Sequence, residues 1–134
     1  MGAWGMGSFE NDAACDWACD LEDAEDLSVV SAAFEGVFEE DYLDSDEAAF
    51  AIAACEVLAA LKGNPITKYE AYPTVNDWVK AHPQSVPADL VSKANLVLDR
   101  ILAADSEMNE LWEESDNYES WKSAVDDLRT RLNT

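Results

Sequence analysis

Residues 46–62 read DEAAFAIAACEVLAALK. From Ala48 to Leu61 every residue except Glu56 is apolar. A surface helix buries one stripe, whereas a helix apolar nearly all round is covered on several sides. The small side chains of Ala48, Ala49, Ala51, Ala53, Ala54, Ala59 and Ala60 let neighbouring helices come close. Phe50, Ile52, Val57, Leu58 and Leu61 fill the space between them. Ala and Glu are poor strand formers and the run is too long for a strand. Asp44, Ser45 or Asp46 can cap its start, and Gly63 with Pro65 can stop it.

Working outward, apolar residues recur at helical spacing in several other segments. The first helix spans about 11–22, with Asn11 or a neighbour as cap and Ala14, Trp17, Ala18 and Leu21 inward. A second spans about 28–41 with Ser28 as cap, burying Val29, Val30, Ala33, Phe34, Val37 and Phe38. After an irregular stretch at 63–74, Thr74 caps a short helix over 75–81 that turns Trp78 inward and ends at His82-Pro83. Further helices are expected at 87–104, 107–114 and 118–132, the last burying Trp121, Ala124, Val125, Leu128 and Leu132. Residues 1–10 form a Gly-rich arm whose Trp4 and Phe9 pack on the bundle. The expectation is all-α: a compact single domain, 1–134, of five to seven helices around the Ala-rich helix at 46–62.

The net charge is −21 and is unevenly placed. Residues 1–61 hold sixteen acids and no Lys or Arg; residues 62–134 hold thirteen acids against eight bases. The two halves therefore carry −16 and −5. Such a field opposes direct binding to nucleic acid or anionic membranes and favours encounter with basic proteins. No apolar run reaches the roughly 18 residues of a membrane span. The opening MGAWGMGSFEND lacks the charged and apolar regions of a signal peptide. Three cysteines cannot all pair within one chain. A cytoplasmic protein with reduced thiols is expected.

The opening MGAWGMGSFENDAACDW also resembles the start of DUF4259, a bacterial family of unknown function that begins with a pattern like W-G-x-G-x-F-x-N-D. Trp4, Gly5, Gly7, Phe9, Asn11, Asp12, Asp16 and Trp17 stand at the matching positions. The stretch around Asp41, Tyr42 and Leu43, the Ala-rich helix, LDRILAADSEMNELWEE at 98–114 and Trp121 extend the resemblance over essentially the whole chain. It implies a small helical protein in which these motif residues are structural, and it implies no activity.

Tests for catalytic or metal chemistry fail on spacing. His82 is the only histidine, so the Glu-x-x-His pairs of a bundle di-iron site cannot form. Cys15, Cys19 and Cys55 lack the C-x-x-C spacing of zinc sites. The acidic turn at 41–47 can gather a loose cation, but it lacks the Gly and closing Glu of an EF-hand. No phosphate loop or nucleophile elbow is present. No catalytic residue, metal or cofactor is therefore assigned.

Asp12, Asp16, Asp20 and Asp23 recur along one edge of the first helix, and Glu35, Glu39 and Glu40 lie in the last turns of the second. Like charges one turn apart cost about 0.2–0.5 kcal/mol per pair, so the edge opposes helix stability. A non-enzymatic acidic module docking on a basic protein, of inhibitor or immunity type, is the leading expectation. A DNA mimic using the same carboxylates is one alternative. The other is an oligomer-forming domain with exposed aromatics around Trp112 and Trp121.

Overall fold

The helix expected at 46–62 is α3 (Ser45–Leu61), and it touches every other helix of the molecule's described residues. The structure, a computed structural model, describes residues 11–39, 41–66 and 73–134. The remaining helices are α1 (Asp12–Glu22), α2 (Ser28–Phe38), α4 (Pro73–Ala81), α5 (Ala88–Ile101), α6 (Glu107–Glu113) and α7 (Tyr118–Leu132). Around α3, α1 packs on α4, α2 packs on α5, α5 on α7, and α7 on α6. The fold is all-α, and its buried side chains form one core.

Every residue of α3 from 51 to 59 is buried, which occupies all faces of the helix for more than two turns. Six neighbours are what a helix without a polar face requires. Asp44 starts it by accepting from Asp46 N at 2.6 Å. Glu107, arriving from α6, accepts from Ser45 N at 2.9 Å. Both carboxylates lie at the positive end of the helix dipole. Gly63 ends it at φ +88°. Gly63 N donates to Ala60 O at 3.0 Å and Asn64 N to Ala59 O at 2.9 Å. This is a Schellman closure, which needs the left-handed backbone that glycine adopts without strain.

The one buried charge of α3, Glu56, has a partner 75 residues away. Arg131 Nη1 and Nη2 donate to Glu56 Oε1 and Oε2 at 2.6 and 2.9 Å, a two-pronged pair in which the Glu56 side chain is 2% exposed. Arg131 Nε also donates to Asp127 Oδ2 at 2.9 Å. Burial alone would lower the Arg131 pKa; the bonds to Glu56, then those to Asp127, outweigh it and the net displacement is upward. The same corner is tied by Asn64 Nδ2 donating to Arg131 O at 3.1 Å and by Lys62 Nζ donating to Leu132 O. Lys62 thus places a cation at the negative end of α7. Arg129 Nη2 reaches Asp99 Oδ1 at 2.8 Å and joins α7 to α5.

Several boundaries differ from expectation for physical reasons. α2 stops at Phe38 rather than near Asp41, because the chain beyond is claimed by a remote segment. Leu43 N donates to Asp105 O and Glu107 N to Leu43 O, both at 2.8 Å, an isolated parallel bridge centred on Leu43 and Ser106. Ser28 is the first residue of α2 and not its cap; Asp26 Oδ1 accepts from Ser28 N at 3.0 Å. Thr74 lies inside α4, which begins at Pro73. Asn11 caps α1 as expected, accepting from Ala14 N at 2.8 Å, and Ser106 caps α6, accepting from Asn109 N at 3.4 Å. The arm at 1–10 and Glu40 lie outside the described residues.

Phe38, expected inside, is exposed, whereas Trp112 and Trp121 are buried and stacked at 6.0 Å with their planes 6° apart. They are core, and they form no surface patch for oligomerisation. Tyr118 stacks beside Trp121 and donates its hydroxyl to buried Asn109 Oδ1 at 2.9 Å.

Removing one member of a buried ion pair leaves the other charge uncompensated, at a cost of about 3–5 kcal/mol. Arg131→Met should therefore lower the unfolding free energy by roughly that amount in urea titrations. The double variant Glu56→Leu/Arg131→Met should recover more than half of the loss. If the single and double variants are equally unstable, the pair does not act as the unit described here.

Candidate functional site

α1 turns Ala14, Trp17, Ala18 and Leu21 into the core, where it meets α3 and α4. That orientation leaves Asp12, Asp16, Asp20 and Asp23 exposed along its outer edge. No ion pair among the described residues involves any of the four. Asp12 sits in the first turn, where the dipole favours it, but the last turn has no base and holds Asp20 and Glu22. The charge of this edge is therefore not neutralised within the described part of the fold.

Glu35 and Glu39 are exposed on α2 and just past its end, where again no base occupies the last turn. α1 and α2 each lean on α3, but α1 has α4 as its second neighbour and α2 has α5. Gly36 brings α2 close to α3: a methyl group there would lie 2.5 Å from Glu47 Oε2. A larger residue would have to displace that carboxylate.

The acidic turn at 41–47 is held by protein groups. Asp44 and Glu107 accept from the first amides of α3, as described above. Tyr42 donates its hydroxyl to Glu110 Oε2 at 2.8 Å. That bond, with burial and the nearby carboxylates adding to it, pushes the Tyr42 pKa up to about 12. Arg100 Nη2 donates to Asp41 O at 3.0 Å. No group of three or more His, Cys, Asp or Glu among the described residues is placed to hold a metal ion.

His82 is a structural residue in this setting. Its ring stacks on Trp78 at 4.7 Å, and Nδ1 lies 3.0 Å from Trp78 O. Trp78 Nε1 in turn donates to Ala24 O at 2.8 Å, which fixes α4 beneath the end of α1. The cysteines fall into three environments: Cys19 is exposed, Cys15 half-buried and Cys55 buried. Burial, then Asp12, Asp16 and Cys19, raises the Cys15 pKa. Burial, reinforced by Glu56, raises that of Cys55 much further.

The surface so described is that of a small acidic helical domain with a carboxylate edge on α1. The family model described as a domain of unknown function, DUF4259, matches residues 2–124, and the chain belongs to that family. The match contains the N-terminal motif and Glu56, and it stops within α7 before Arg131. Comparison with curated proteins and with solved structures gave no match. No helix among the described residues is long and apolar enough to cross a membrane.

Of the expected site residues, Asp12, Asp16, Asp20, Asp23, Glu35 and Glu39 are all exposed, while Glu40 lies outside the described residues. The motif residues Trp4, Gly5, Gly7 and Phe9 also lie outside them. Asn11 and Trp17 have structural roles, as the α1 cap and a core side chain.

Thiolate formation governs thiol reactivity. In the folded protein a disulfide reagent at mildly alkaline pH should label Cys19 first, Cys15 more slowly and Cys55 only after denaturant is added. Mass spectrometry of peptides from timed samples reads the order. Equal labelling of Cys55 and Cys19 would contradict the placement of α1 and α3.

Proposed function

We propose that the protein is a non-enzymatic acidic module that docks on a basic protein, in the manner of an inhibitor or immunity protein. The observation that carries this reading is the edge formed by Asp12, Asp16, Asp20 and Asp23, exposed and outside every ion pair among the described residues. Like charges at these spacings oppose helix formation, and only Asp12, in the first turn, gains from the helix dipole. A cationic partner would remove the repulsion on binding. The field of a −21 chain would also speed the encounter.

A DNA-binding protein is one class of basic partner, and a carboxylate ridge occupying its nucleic-acid groove would make the module a DNA mimic. Competition separates the cases: duplex DNA displaces the module from such a partner and leaves it bound to any other basic protein.

The test is affinity capture at low and high salt, with wild-type protein and with the variant Asp12→Asn/Asp16→Asn/Asp20→Asn/Asp23→Asn. The reading expects a basic protein retained at low salt, weakened at high salt and lost with the variant. The variant itself should stay folded, its stability within about 1 kcal/mol of wild type, because lost dipole interaction at Asp12 and relieved repulsion oppose each other. A partner held equally well by the variant, or none held even at low salt, would remove this edge as the contact.

A further inference from the structure

Three large apolar side chains are exposed among the described residues: Phe38 at 45%, Tyr42 at 46% and Leu96 at 59%. Isolated exposed apolar residues are ordinary on protein surfaces. The elements that carry these three meet at one junction. Phe38 is the last residue of α2, and Tyr42 follows four residues later in the turn that pairs with the α5–α6 connection. Leu96 lies on α5 one helical turn before Arg100, hence on the same side of that helix. The bond from Arg100 to Asp41 O pins that side of α5 to the chain between Phe38 and Tyr42. α2 and α5 also pack directly on each other.

The rim of this junction is mainly anionic. Exposed Glu35 and Glu39 flank Phe38, exposed Asp41 follows, and Glu110 is held beside Tyr42 by the tyrosine hydroxyl. The bases on this side of α5 are Lys93 and Arg100, and Arg100 is engaged by Asp41 O. Exposed ion pairs each contribute little, so charge alone gives little affinity. Apolar anchors desolvated at the centre of a polar rim supply most of the energy of protein contacts. An apolar centre edged with carboxylates is complementary to an amphipathic helix that carries Lys or Arg along its flanks. A second copy of this chain is a poor occupant, because it would set one −21 molecule and its carboxylate rim against another.

We propose that the α2–α5 junction receives a basic amphipathic helix of the partner. Phe38 and Leu96 contact its apolar face, and Glu35, Glu39 and Asp41 pair with its cations. This rests on the acidic-module reading and adds to it the part of the surface that selects for shape. The probe is a labelled Leu/Lys peptide of amphipathic helical periodicity, compared by fluorescence anisotropy with a scrambled peptide of identical composition. The amphipathic peptide should bind about tenfold tighter or more, a difference of about 1.4 kcal/mol. Phe38→Ser and Leu96→Ser should each shrink that preference severalfold while leaving binding of the scrambled peptide unchanged. Both positions are exposed, and circular dichroism and thermal unfolding of each variant confirm that the fold is kept.

Equal affinity for the two peptides, or a preference untouched by both substitutions, overturns the docking site but leaves the acidic-module reading standing. Failure to bind either peptide at low salt overturns both. Concentration-dependent dimers abolished by Leu96→Ser would assign the surface to a second copy and also overturn the proposal.

Discussion

A helix with no polar face must be enclosed, and the enclosure of α3 governs the rest of the molecule. Its alanines allow six helices to approach, and a larger residue in such a packed position costs about 1–3 kcal/mol by overpacking. Enclosure also traps Glu56, which lies in the most apolar part of the chain. A carboxylate so buried demands a cation with matching geometry, and a guanidinium meets it through two parallel hydrogen bonds. Arg131 fills that role, and through it the last turn of α7 is fixed against the end of α3.

The same requirement shapes the surface. The chain has eight bases. Arg131 is drawn inward to Glu56 and Asp127, Arg129 to Asp99, Arg100 to Asp41 O, and Lys62 to Leu132 O. Lys122 lies 5.3 Å from the centre of the Tyr118 ring. These contacts tie the second half of the chain to itself, to Glu56 and to Asp41, and α1 and α2 have no cations of their own in sequence. Among the described residues, pairing is therefore concentrated at the α3–α5–α7 corner and uncompensated charge on α1 and the end of α2. That separation is the physical basis for reading α1 and the end of α2 as contact surfaces.

Much of this architecture could be read from local pattern. α3 announced itself by composition, Asp44 and Gly63 by cap chemistry, and α7 by the spacing of Trp121, Val125, Leu128 and Leu132. Features set by distant contacts could not be read. The pairing of Leu43 with Ser106 cut α2 short, and no local signal distinguishes it from a longer helix. Glu56 stood out as a lone charge, but choosing Arg131 among eight bases requires knowing where α7 ends in space. Helical spacing in short α6 did not separate a buried Trp112 from an exposed one. The exposure of Asp12, Asp16, Asp20 and Asp23 followed from the inward stripe of α1. The different second neighbours of α1 and α2 around α3 did not follow, because they are set by packing between distant segments.

Native-state hydrogen exchange tests the central role of α3 most directly. Amides deep in a core exchange only when the whole molecule unfolds, whereas peripheral elements open locally. The amides of residues 51–59 should be the slowest in the protein, with an opening free energy equal to the global unfolding value from denaturant titration. If they open at lower free energy than the amides of α1 or α7, α3 is not the element on which the other helices depend.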